Sequence, residues 1–308
     1  MTYAGGKGTS YQQIINQIPP HETYIELFLG SGAVMRAKRP AKRNIGIDLL
    51  ESSLRLVSVG LAEIGETAVT TDMAMLPGAA SPKPAIAADT ASFDDERVHR
   101  HDWRLLPATI VSNDGTAVPP ELALLDSGEG TARSDESPEA FVLIHGDAIR
   151  FLRSYQFTGN EFVYCDPPYL FSSRRSQRQL YEHEFGSSEE HEGLLDLLKE
   201  IPSMVAVSGY WSELYNDELA KWRVISWAAM TRGGAMAREF LWMNYPEPRQ
   251  LHEYTYLGDD FRERERIRRK AERWVRRFTS LPDLERLAIL DRLQDAGIIL
   301  QQSQLGGA

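Results

Sequence analysis

The residues with the clearest capacity for chemistry are Asp166-Pro167-Pro168-Tyr169, which follow the apolar run Phe162-Val163-Tyr164-Cys165. That run is rich in β-formers and long enough for a buried strand. Neither proline can donate to a sheet, so the chain must leave it there. In an open α/β sheet, ligands bind outside the carboxyl ends of strands. A carboxylate, a rigid turn and a ring at such an end form a small polar pocket with a stacking platform. The Asp166 carboxylate and the Pro167 carbonyl can accept both hydrogens of an exocyclic amine, and Tyr169 offers a face to a planar base. This set suits the amino group of adenine or cytosine drawn out of its stack. The same four residues also fit a plain turn, with Asp as turn former and Pro fixing φ. Other stretches have to decide.

Stepping outward, Thr23 to Phe28 is predicted as a strand, followed by Gly30, Gly32 and a helical Ala33 to Lys38. Strand, glycine turn and helix make the first unit of a dinucleotide-type fold, and the helix N-terminus favours a ligand's carboxylate. Asn44 to Asp48 is a second strand, ending in an acid 22 residues after Glu26. Such folds place there the carboxylate that binds ribose hydroxyls. Phe141 to His145 and Met204 to Ser208 are further strands. Val224 to Trp227 and Glu239 to Asn244 are expected as a closing antiparallel pair.

With these pieces in order, a resemblance emerges. Asp166-Pro167-Pro168-Tyr169 after a hydrophobic strand resembles the catalytic motif of the amino-group DNA methyltransferases that use S-adenosylmethionine. Tyr3-Ala4-Gly5-Gly6-Lys7 resembles the N-terminal motif of the Dam-type DNA adenine methyltransferases, and Glu26 to Val34 resembles their cofactor loop. The motif order is also theirs. The resemblance covers roughly residues 1–64 and 141–248, expected to form the catalytic domain. It implies a Rossmann-like α/β fold with a mostly parallel seven-stranded sheet. It also implies S-adenosylmethionine as cofactor and methyl transfer to the N6 amine of adenine in DNA. By the same resemblance Tyr3, Lys7, Glu26, Phe28, Gly30, Gly32, Asp48 and Asp147 are cofactor-binding candidates, and Asp166, Pro167, Pro168 and Tyr169 catalytic ones. Glu26 would meet the methionine portion and Asp147 the adenine amine. Asp147 also fits as an N-cap for a helix from Ala148 to Ser154. Two rivals stand beside this reading: methylation of the N4 amine of cytosine or of an RNA base, and a DNA-binding accessory protein with a lapsed active site.

The 308 residues, 42% of them hydrophobic and 25% charged, are ordinary for a globular protein. No apolar run reaches the roughly 18 residues of a membrane helix, and the N-terminus lacks a basic-then-apolar signal, so a cytoplasmic protein is expected. The single cysteine, Cys165, rules out an intramolecular disulfide. His183 and His191 lack the spacing of metal ligands, and no metal is expected.

Charge is unevenly distributed. Net charge is −10, and residues 51–140 alone hold 16 acidic and 6 basic side chains. Residues 65–140, dominated by Ala, Pro, Gly, Ser, Thr and Asp, are expected to be an irregular acidic insertion, departing from the family's recognition domain. Within it, Leu105-Leu106 and Leu122 to Leu125 are candidate short strands or turns. Residues 249–308 are expected to be a helical basic tail. Arg262 to Arg277 holds nine basic and three acidic residues, and Ile267, Ala271, Trp274 and Phe278 recur at helical spacing. Arg174, Arg175 and Arg178 after the catalytic turn, and Arg264, Arg268 and Arg276 in the tail, are candidate DNA-phosphate contacts.

Overall fold

The computed structural model describes residues 10–66, 108–112, 140–170, 185–230 and 236–297. The chain divides into two compact units, Met1–Glu253 and Tyr254–Ala308. In the first, α1 (Tyr11–Ile15), β1 (Thr23–Leu27), α2 (Ala33–Ala37), β2 (Arg43–Asp48) and α3 (Glu51–Glu66) are followed by β3 (Ala108–Ser112) and β4 (Ala140–His145). Then come α4 (Ala148–Ser154), β5 (Glu161–Cys165), α5 (Ser188–Glu200), β6 (Met204–Tyr210), α6 (Glu213–Glu218), β7 (Arg223–Met230) and β8 (Met236–Met243).

The eight strands among the described residues form one sheet in the order β3-β4-β2-β1-β5-β6-β8-β7. The six from β3 to β6 run parallel, and β8 lies antiparallel between β6 and β7. Seven strands coincide with the predicted ones. The eighth, β3, falls inside the stretch read as an irregular insertion. It is five residues long and pairs with β4 alone, from Ala108↔Phe141 to Ser112↔His145. A strand this short, Ala-Thr-Ile-Val-Ser, is too brief for its pattern to stand out among Pro- and Gly-rich neighbours. Leu105-Leu106 and Leu122 to Leu125 lie outside the described residues.

The central strands are buried without alternation, as expected for parallel strands covered on both faces. Every residue of β1 and β5 is buried. On one face, Phe151 and Leu152 of α4 and Leu194, Leu195 and Leu198 of α5 share a cluster with Ile25, Ile45, Val163 and Val205. Side chains start the helices: Asp147 caps α4, Ser187 and Glu190 form a reciprocal capping box on α5, and Ser212 caps α6. Residues 249–253, assigned to the tail from sequence, are tied into the first unit. His252 N–H donates to the Ile18 carbonyl at 2.9 Å, and the His252 Nε2 lies 3.0 Å from the Arg39 carbonyl oxygen.

The second unit contains α7 (Phe261–Thr279) and α8 (Asp283–Asp295). Asp260 caps α7, accepting from the Glu263 N–H at 2.8 Å. Neither helix has a buried residue.

Gly46 shows how tightly the sheet centre is packed. A Cβ there would sit 2.8 Å from Leu29 Cδ2 and 3.1 Å from Leu143 Cδ2. Overpacking of this kind costs about 1–3 kcal/mol. Gly46→Ala is therefore expected to lower the urea midpoint by an amount equivalent to about 1–3 kcal/mol without changing the slope. A midpoint equal to that of the wild type would show that Leu29 moves aside freely.

Candidate active site

The loop after β1 is held by two carboxyl groups. Asp48, at the end of β2, accepts from the Gly30 N–H through Oδ2 at 2.7 Å and from the Leu50 N–H through Oδ1 at 2.8 Å. Burial pushes the Asp48 carboxyl above its ordinary pKa, and these amides oppose the rise. Glu26 lies beneath the loop, 3% exposed, where its Oε2 accepts from the Tyr24 hydroxyl at 2.8 Å and the Met35 N–H at 2.9 Å. Burial is the main cause that raises Glu26 to about 8, and the nearby Asp166 charge adds to it. Glu26 is thus a neutral anchor for α2 at mid-range pH.

Between these anchors the backbone is unusual. Phe28 has φ 56°, in the left-handed region that a bulky residue rarely adopts, and its ring lies 5.3 Å from that of Phe185. Such strain persists only where surroundings over-determine it. Gly32 has φ 58°, and a Cβ there would meet Val57 Cγ2 at 2.8 Å. Both the conformation and the close approach of α3 therefore require glycine.

The catalytic turn lies one strand away. Register aligns Leu27 with Cys165 and Cys165 with Val207. The next residues along, Asp166 and Ser208, therefore lie side by side at the carboxyl edge. Ser208 Oγ donates to Asp166 Oδ1 at 2.7 Å and lies 2.9 Å from the Tyr164 hydroxyl. Ser208 and Tyr164 are fully buried, whereas Asp166 is half-buried. Pro167 is buried, Pro168 and Tyr169 half-buried. The Tyr169 ring centroid stands 4.3 Å from that of Tyr210, which ends β6, with the planes tilted by 46°. Cys165 is no rival nucleophile, since burial first and Asp166 second hold its thiol well above its ordinary pKa.

The structure thus gathers Glu26, Phe28, Gly30, Gly32, Asp48, Asp166, Pro167, Pro168 and Tyr169 on the carboxyl ends of β1, β2 and β5. Asp147 follows β4 and serves as the N-cap of α4, accepting from the Arg150 N–H at 2.8 Å. Tyr3, Lys7, Arg174, Arg175 and Arg178 lie outside the described residues. In α7, Arg268 is clasped by Glu265 at 2.7 Å and Glu272 at 3.0 Å, and Arg264 Nη1 donates to the Gly258 carbonyl at 3.4 Å. His191 is absorbed by the core, its Nδ1 2.7 Å from the Tyr215 hydroxyl and its Nε2 3.2 Å from the Phe185 carbonyl oxygen. Among the described residues, no group of three or more His, Cys, Asp or Glu side chains is placed to hold a metal ion. None of the described helices is long and apolar enough to cross a membrane.

Ser208 was missed from sequence, although a lone hydroxyl in the apolar run Met204 to Gly209 was a usable signal. Phe185 offered none.

Seven of the eight strands, with a glycine loop after β1 and acids ending β1's neighbours, make the Rossmann-like methyltransferase fold. A family model described as D12 class N6 adenine-specific DNA methyltransferase matches residues 3–66 and 149–231, and the chain belongs to that family. It is a methyltransferase, with S-adenosylmethionine as its cofactor. Among solved structures, a precorrin-8w decarboxylase from Methanobacterium thermoautotrophicum is similar at 11% identity and TM-score 0.36, covering 79% of this chain and 94% of its own. An rRNA methylase from Streptococcus thermophilus is similar at 10% identity and TM-score 0.36, covering 76% and 92%. These likenesses are too distant to say more about the chain. No curated protein matches it.

Two predictions follow from this geometry. Ser208→Ala removes one hydrogen-bond partner of the buried Tyr164 hydroxyl and one of the Asp166 carboxylate. Stability should fall by about 1–3 kcal/mol in urea unfolding, and methyl transfer should fall further than folding alone explains. Full transfer by the folded fraction would show that Asp166 needs no tether. The second concerns pH. Folding raises the Glu26 pKa from 4.5 to about 8, so the folded state binds the extra proton. The stability this contributes is complete below 4.5 and is lost as pH rises towards about 8. Glu26→Gln, which cannot ionise, should flatten the fall in stability across that window. Parallel pH profiles for the two proteins would contradict the buried, neutral Glu26.

Proposed function

We propose that the chain transfers a methyl group from S-adenosylmethionine to the N6 amine of adenine in DNA, with the adenine flipped out of the duplex. The observation that carries this reading is the Asp166 carboxylate, tethered by Ser208 at the carboxyl end of β5, beside the paired rings of Tyr169 and Tyr210. Family membership supports the same substrate.

The residues fit the cofactor. Asp48 ends β2 with a carboxylate able to accept from ribose hydroxyls, since each oxygen has a second lone pair beyond its backbone N–H. The loop it braces has glycine where a side chain would clash. S-adenosylmethionine supplies an electrophilic methyl group. The chain's own residues act on the other reactant. Asp166 and the Pro167 carbonyl accept the two amine hydrogens, which draws the nitrogen towards tetrahedral geometry and turns its lone pair to the methyl. Tyr169 stacks on the base, a contact of about 1–3 kcal/mol by comparison with other base–aromatic pairs. The amine is itself the nucleophile, so no side chain is alkylated; as its bond to the methyl forms, the sulfonium's bond to that methyl would break, and the nitrogen gives up one proton to the Asp166 carboxylate or to solvent. Proximity and orientation then make the main contribution.

The experiment is to incubate the protein with methyl-labelled S-adenosylmethionine and unmethylated plasmid, hydrolyse the DNA and identify the labelled base. N6-methyladenine is expected. Label in N4-methylcytosine would move the reading to the other amine, label only in added RNA would move it off DNA, and no label at all would leave a lapsed active site.

A further inference from the structure

Net charge is −10, yet α7 holds nine basic and three acidic residues, so the rest of the chain carries −16. A molecule so charged is repelled by a polyanion at long range. The cations of α7 are not spread round the helix. At about 100° per residue, Arg262, Arg266, Arg269, Lys270, Arg273, Arg276 and Arg277 share one sector of roughly 120°, and no acid falls within it. Arg264 and Arg268, singled out from sequence, lie on the other side, where Glu265 and Glu272 clasp Arg268. Within the sector Arg266 pairs with Glu263 at 3.1 Å and Arg269 with Glu265 at 2.5 Å, whereas Arg262, Lys270, Arg273, Arg276 and Arg277 form no ion pair with any described residue.

We propose that this sector of α7 is a second DNA-binding surface, which contacts duplex phosphates without reading bases. Eight of the nine cations of the helix are arginines, whose planar forks match phosphate oxygens in pairs. On a helix, neighbours three and four apart stand about 5–6 Å from each other, so the sector presents a continuous run of cations. The apolar stripe of Ile267, Ala271, Trp274 and Phe278 spans about 60° of the wheel before Arg264 interrupts it, and Val275 lies beyond, between Arg264 and Arg268, so no unbroken apolar face reaches the 100° or more of a helix that buries one. That favours DNA over a lipid surface. The proposal rests on the DNA reading of the active site and adds a contact outside it.

The test uses the full-length chain and an unmethylated duplex of about 30 base pairs, with affinity measured across a series of salt concentrations. Each phosphate contact contributes about 0.9 to the slope of log affinity against log salt. Replacing Lys270, Arg273 and Arg277 together by Gln should flatten the slope by up to about 2.7, with helicity unchanged. The Arg264→Gln, Arg268→Gln pair should leave the slope as it is. An unaltered slope in the triple variant would overturn the proposal, as would an equal loss in the control pair. Tighter binding to vesicles of mixed phosphatidylserine and phosphatidylcholine than to duplex would assign the surface to lipid instead and overturn it too. Failure here is separable from failure at the active site. A chain that methylates plasmid but shows no slope change loses only the tail surface. One that shows the slope change but never methylates DNA loses only the catalytic reading.

Discussion

One hydrogen bond between neighbouring strands governs the site: Ser208 Oγ to Asp166 Oδ1 at 2.7 Å. A carboxylate at a strand end, half in water, has rotational freedom that would blur any grip on an amine. A buried hydroxyl removes that freedom without adding a charge. The hydroxyl in turn cannot be left unpaired, because an unsatisfied buried group costs about 1–3 kcal/mol. Tyr164 completes it from the strand that carries Asp166 itself. The bond exists only because β5 and β6 pair with Cys165 opposite Val207. A one-residue slip would turn every side chain of β6 to the other face. The antiparallel β8 guards against that slip by pairing Ser208 with Leu241, a fully buried core residue.

The other half of the site follows a related logic with acids that are buried rather than presented. Asp48 and Glu26 use their oxygens on backbone amides of the loop and of α2, and so hold Phe28 in a conformation it would not choose. Beneath them Lys38 is buried as well, its Nζ 4.1 Å from the centre of the Tyr24 ring and 2.8 Å from the Arg39 carbonyl. Burial lowers it to about 7, with Glu253 and Glu26 opposing. Charged residues packed below the loop are unusual in a core. Here Glu26 ties β1 to α2 through the Met35 N–H, and Lys38, the residue that ends α2, reaches the Arg39 carbonyl.

Much of this was legible in the sequence because the informative features are local. A strand run that stops at Asp-Pro-Pro-Tyr, a Gly-x-Gly after β1 and an acid ending β2 each declare themselves within a few residues. The seven strands of the methyltransferase sheet were readable for the same reason. Features that depend on which strands become neighbours were not. Ser208 is 42 residues from Asp166, and the Met35 amide that donates to Glu26 belongs to a different element. The strand β3 was hidden by its brevity. In α7 the charge run was obvious, but not that Glu265 and Glu272 both close on Arg268.

The account depends on Asp166 acting on the amine and not on the fold or the cofactor. The most direct measurement is paired: S-adenosylmethionine affinity and methyl transfer to unmethylated DNA, both on Asp166→Ala. The side chain is half-exposed, so the variant should fold, and cofactor affinity should stay within a few-fold of the wild type. Transfer should fall by at least about 100-fold, the scale on which misplacing a reacting group acts. Turnover close to that of the wild type, or a loss of transfer matched by an equal loss of cofactor binding, would contradict it.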